Sequence, residues 1–157
     1  LGASVLATDY DEPTLRNLQF NVDQNGVSGQ VQVLRWDWAE APPQELLLAS
    51  PQYCVGSEVA YGGTSAALCK ALATLRASDP ELQIYLLLQE RGSQAVQSLM
   101  ACCARADLGA QLEPLPGWRL GDYALILEDE EDWGGSSAFV PGTASLFRLG
   151  TGAGLAA

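Results

Sequence analysis

The chain has 157 residues, a length suited to one domain, and 48% of them are apolar, which is ample material for a core. Its 19 acidic and 8 basic residues give a net charge of -11; such a field repels a nucleic-acid backbone and attracts a basic protein substrate, and it equally serves plain solubility. The longest apolar runs, such as residues 84–88, are far too short to cross a bilayer, and no basic stretch leads into an apolar one near the start, so neither membrane span nor secretory leader is legible.

Residues 3–8 read as a short buried strand that closes at Asp9. Pro13 suits the first turn of a helix that Asp11 is placed to cap. Leu15, Leu18 and Val22 recur at helical spacing, and Asn25-Gly26 is the stop. Residues 31–36 alternate and predict the next strand, after which Pro42-Pro43 breaks the pattern. Residues 53–60 form a third strand, with Gly56 and Ser57 near its end, and Gly62-Gly63 forms a turn. Leu68, Leu72 and Leu75 mark a helix that ends before Asp79-Pro80. Residues 82–88 are a strongly apolar strand, and residues 95–104 a helix with Val96, Leu99, Met100 and Cys103 on one face. Residues 123–127 and 144–149 read as strands, joined by a charged connection that includes residues 128–132, Gly134 and Gly135. The domain is placed at residues 1–150, with 151–157 as a frayed tail of small residues.

Strand and helix alternate through the first two thirds of the chain. That order predicts an α/β fold, a mostly parallel sheet with helices on both faces. The two last strands have no helix between them and predict an antiparallel addition at the sheet edge.

Histidine is absent, which excludes a histidine-containing zinc site and the Ser-His-Asp and Cys-His catalytic arrangements. The four cysteines, Cys54, Cys69, Cys102 and Cys103, lack C-x-x-C spacing. They read as reduced thiols of an intracellular, cytoplasmic protein, with Cys54 and Cys69 acting as small hydrophobes.

In an open parallel sheet, ligands bind at the carboxyl ends of strands. Three such ends carry chemistry here. At the first, Asp9 can accept hydrogen bonds from both hydroxyls of a ribose, and it equally suits a cap or a turn. At the second, Trp36-Asp37-Trp38 offers an indole to cover a base and a carboxylate to accept from its exocyclic amine; the alternative is one core and one rim tryptophan. At the third, Ser57-Glu58-Val59-Ala60-Tyr61 sets a carboxylate three residues before a tyrosine, which can frame a pocket mouth, or can be one solvated and one packed side chain.

Asp9, the helix carrying Leu15, Leu18, Asn21 and Asn25, Trp36-Asp37-Trp38 and Gly56-Ser57-Glu58-Val59-Ala60-Tyr61 together resemble consecutive motifs of the seven-strand, Rossmann-like methyltransferases. The likeness is greatest to methyltransferase family 16, the protein-lysine methyltransferases, and covers residues 3–91 well. The resemblance implies S-adenosyl-L-methionine as cofactor and a protein lysine as acceptor. It implies that Asp9 holds the cofactor ribose, that Trp38 (from Asp37-Trp38-Ala39) or Trp36 packs near the adenine, and that Ser57 contacts the cofactor. The family's Asp-x-x-Tyr motif near the target amine is matched by Glu58 and Tyr61, with Glu in place of Asp. It further implies that the family's first strand and its Gly-x-Gly loop precede Leu1, so that the complete activity belongs to a longer chain. Two other readings compete with it. One is a non-catalytic binding module of the same fold that presents residues 128–132 to a basic partner. The other is an NAD or nucleotide enzyme, since an acidic residue after a strand suits that ribose equally well.

Overall fold

The computed structural model describes residues 2–60, 63–89, 94–113 and 144–150. Tyr61, Gly62, the expected strand at 123–127, the acidic run at 128–132 with Gly134 and Gly135, and the tail at 151–157 lie outside the described residues. The chain divides into two compact units, Leu1–Gln52 with Ala66–Leu82, and Tyr53–Ser65 with Gln83–Ala157.

The first unit opens with strand β1 (Val5–Asp9), helix α1 (Glu12–Gln24) and strand β2 (Val31–Arg35). Helix α1 starts where Asp11 takes an extended backbone and its carboxylate accepts from the Thr14 N–H at 3.1 Å. Thr14 Oγ1 donates to the same carboxylate at 2.8 Å, and Pro13 sits in the first turn, where its missing N–H leaves nothing unpaired. Leu15 and Val22 are buried and Leu18 half-buried, the stripe expected from their spacing. At the far end Gly26 adopts φ +64°. The Gly26 N–H then donates to Asp23 O and the Val27 N–H to Val22 O, both at 3.1 Å, a Schellman closure that satisfies two terminal carbonyls.

Strands β1 and β2 pair in parallel, with Val5 opposite Val31 and Asp9 opposite Arg35. A short helix α2 (Gln44–Ala49) follows directly on Pro42-Pro43. The pair had signalled only a break. Pro43 in fact stands at the N-cap, ahead of the first helical residue, where proline's fixed φ and absent N–H are tolerated. Helix α3 (Ser65–Ser78) contributes all but its first residue to this unit, with Leu68, Cys69, Ala71, Leu72 and Leu75 buried.

The second unit is built on a four-stranded sheet in the order β3-β4-β6-β5. Its strands are β3 (Tyr53–Ser57), β4 (Gln83–Gln89), β5 (Gly109–Glu113) and β6 (Ala144–Gly150), with helix α4 (Ala95–Arg105) between β4 and β5. β3 and β4 are parallel; β6 runs antiparallel to both β4 and β5. The antiparallel strand thus lies inside the sheet, with β5 outside it, whereas the sequence reading set it at the edge. Strand β5 was missed because the alternation of Ala110, Gln111, Leu112 and Glu113 is too short to mark a strand by itself.

Along β4, Ile84, Leu86 and Leu88 are buried while Gln83 is exposed and Tyr85 and Leu87 are half-buried. That alternation with period two gives the strand one core face and one open face. Leu99 and Cys103 of α4 are fully buried at helical spacing. On the open face, the rings of Tyr53 and Tyr85 stack with centroids 6.5 Å apart. The mixed α/β architecture with parallel pairs and antiparallel later strands is the one the sequence predicts. No helix among the described residues is long and apolar enough to cross a membrane.

Candidate functional site

In the first unit the carboxyl ends of β1 and β2 are tied together. The Trp36 N–H donates to Asp9 O at 2.8 Å, continuing the ladder one residue past β2. This places Asp9 beside the Trp36-Asp37-Trp38 segment. The Asp9 carboxylate is half-buried, and its Oδ1 accepts from the Asp11 N–H at 2.9 Å. The entry to α1 therefore orients the acid that closes β1. Asp37 is fixed in a similar way: its Oδ1 accepts from the Ala39 N–H at 2.9 Å and its carbonyl from the Glu40 N–H at 2.9 Å. An Asx turn of this kind holds a short carboxylate in one orientation.

The two tryptophans differ in kind. Trp36 is buried, 6% exposed, and its indole Nε1 reaches Glu40 O at 3.5 Å. Trp38 is half-buried and lines a cavity of about 180 Å³ with Ala41, Pro42, Lys70 and Ala71 among its walls. Glu40 and Thr74 complete the cavity's lining, and neither Asp9 nor Asp37 is among the residues that line it. Tyr10 was not singled out from sequence, yet it is 58% exposed and follows Asp9 directly. An exposed aromatic next to a strand-end carboxylate was the signal that could have found it.

The chemistry of this group of residues suits a nucleoside. Carboxylates are acceptor-only and match the paired hydroxyls of a ribose and the exocyclic amine of a base. An indole supplies a large flat apolar face. Among the described residues no cluster of histidine, cysteine or carboxylate could hold a metal ion.

In the second unit, β3 ends at Ser57, which is exposed and pairs with Leu87 of β4. Glu58 follows with φ +54°, a left-handed backbone that residues with a Cβ rarely adopt. Its N–H donates to Leu87 O at 2.9 Å, so the sheet ladder holds the residue at the point where the chain leaves it. Side chains in such a conformation concentrate at functional sites, where the surroundings over-determine the strain. The predicted site residues thus fall in two groups, Asp9, Trp36, Asp37 and Trp38 in the first unit, and Ser57 and Glu58 in the second.

Comparison with known proteins agrees with the fold. The profile of the family described as lysine methyltransferase matches residues 1–102. No curated protein matches the chain. Among solved structures, a precorrin 8W decarboxylase from Methanobacterium thermoautotrophicum is similar at TM-score 0.53 and 15% identity, over 95% of this chain and 69% of that one. The METTL16 methyltransferase domain is similar at TM-score 0.54 and 12% identity, over 94% of this chain and 62% of that one. The O-methyltransferase NcsB1 from neocarzinostatin biosynthesis, solved with S-adenosylmethionine and a naphthoic acid, is similar at TM-score 0.58 and 12% identity, over 94% and 41% of the two chains. At such identities the likeness is one of fold.

Proposed function

The chain belongs to the lysine methyltransferase family and has the Rossmann-like fold of the class I methyltransferases, and from that premise we propose that it serves S-adenosyl-L-methionine-dependent methyl transfer to the side-chain amine of a protein lysine. Its cofactor is S-adenosyl-L-methionine. The observation that carries the lysine reading is the family match, which spans both groups of candidate residues.

The residues of the first unit fit the adenosine half of that cofactor. Asp9 would accept from the ribose hydroxyls, Asp37 from the adenine amine, and Trp38 would cover the base. Trp38 is preferred to Trp36 because its indole lines a cavity while that of Trp36 is buried. The family resemblance gives Ser57 a cofactor contact as well, and Tyr10 is a further aromatic surface beside Asp9.

When bound, the cofactor supplies a methyl group on a sulfonium centre whose leaving group is already good. The protein's task is therefore positioning and exclusion of water, with neither a metal nor a covalent intermediate required. An incoming lysine must lose its proton to solvent before its amine attacks. The Glu58 carboxylate orients that amine, and Tyr61 shields its approach from water. Glu58 is assigned as an orienting group and not as an obligate base.

The test is incubation of the purified full-length protein with methyl-labelled S-adenosylmethionine and a lysine-rich protein mixture, followed by acid hydrolysis and chromatography. Methyllysine is the expected product. Asp9→Ala should weaken cofactor binding by calorimetry, and Glu58→Ala should lower turnover with little change in cofactor affinity. Label found only in RNA or in small phenols would overturn the lysine assignment. Unchanged cofactor affinity in Asp9→Ala would remove the ribose role.

A further inference from the structure

Gly56 lies two residues before Glu58 in β3, opposite Leu86 of β4. A Cβ placed on it would stand 3.0 Å from Leu86 Cδ2 and 3.2 and 3.3 Å from Val59 Cγ2 and Cγ1. The Leu86 atom is the end of a flexible side chain. The Val59 methyls are different, because a β-branched side chain is stiff about χ1 and both methyls must move together. Val59 follows Glu58, whose left-handed backbone turns the chain and lays Val59 back over the strand it has just left. Both methyls thus border the space that a Cβ on Gly56 would take.

We propose that Gly56 is a positioning residue. Its missing side chain lets Val59 seat on β3, and that seat holds Glu58 in its left-handed conformation and so aims the Glu58 carboxylate. That the carboxylate is aimed at the acceptor amine rests on the function proposed above. The coupling among Gly56, Val59 and Glu58 stands on the geometry alone. Among the restraints on Glu58 are the Leu87 carbonyl on its N–H and the Val59 seat on the residue after it. The hydrogen bond fixes where the chain leaves the sheet. The seat decides which way it goes next.

The experiment uses the whole chain with 13C-labelled glutamate. The Glu58 Cα and Cβ resonances, assigned by their loss in Glu58→Gln, report its backbone conformation. Gly56→Ala is expected to move them toward the values of an extended residue while the other glutamates stay in place. Adding Val59→Ala to Gly56→Ala is expected to return them, because the new methyl occupies the space the Val59 γ carbons leave. Such a reversal is non-additive, as contacting residues should be, and general destabilisation would not produce it. Val59→Ala alone adds no atom, so it tests the seat even if Gly56→Ala does not fold; it is expected to broaden or move the Glu58 signals. The proposal is overturned if Glu58 is unmoved in the single variants, or if the second substitution fails to return it. Methyllysine formation by Glu58→Gln is read separately. If that variant keeps full activity, the acceptor role fails while the coupling is judged on the resonances.

Discussion

At the scale of single residues, burial separates side chains that the sequence presents as alike. Trp36 and Trp38 flank one aspartate, and the sequence does not say which of them is core, although the family resemblance favours Trp38 beside the base; the fold buries Trp36 and leaves Trp38 on a cavity wall. Cys54 shows burial acting on a titratable group. Desolvation raises its thiol from an ordinary 9.0 to about 11, because the interior disfavours the thiolate. Its raised value means that the folded chain keeps a proton that the unfolded chain releases. The contribution is fully present below pH 9.0 and is lost as pH rises to about 11. Stability should fall by about 1.4 kcal/mol per pH unit across that window from this group. Denaturant unfolding at successive pH values is expected to show a shallower decline in Cys54→Ala than in the parent; identical slopes would rule the contribution out.

Among the elements, α1 was almost wholly legible. Its cap, its buried stripe and its stop are local, set by Asp11, by Leu15, Leu18 and Val22, and by Gly26. Asp11→Ala removes the acceptor for the Thr14 N–H and should cost about 1 kcal/mol, while Asp11→Asn should cost much less. Urea unfolding distinguishes the two variants, and equal losses would mean that charge rather than the cap bond matters. Helix α2 was missed because Pro42-Pro43 can end one pattern or precede another, and the sequence does not say which. Strand β5 was missed because its pairing with β6 comes from far along the chain. Its hydrogen bonds depend on a partner that no window around residues 109–113 contains.

For the whole molecule, the net charge of -11 is the property that acts at a distance. It should draw a basic protein substrate into encounter and do so less well as salt screens the field. With a lysine-rich acceptor, kcat/KM is expected to fall several-fold between roughly 0.05 and 0.5 M salt, the Debye length shrinking from above 10 Å to a few ångströms. A kcat/KM indifferent to salt would leave the charge only its role in solubility. The same scale carries the division into two units, with Asp9, Trp36, Asp37 and Trp38 in one and Glu58 in the other. Composition and spacing gave no sign of that division, because it reflects which segments pack together and not where hydrophobic residues stand.

The sequence alone determined the alternation of strand and helix, the start and stop of α1, and the strand-end positions of Asp9 and Trp36-Asp37-Trp38; the third strand, expected over 53–60, ends at Ser57. These follow from neighbours within a few residues: periodicity, caps and turn chemistry act locally, and a strand's end is marked by the residues that end it. Tertiary structure decided which tryptophan is core, where β6 inserts between β4 and β5, and that Glu58 turns left-handed with Val59 bordering the space at Gly56. Each of these depends on atoms brought close from other strands or from a chain reversal. A glycine in a strand reads only as a weak point until the fold shows which methyl groups need its space.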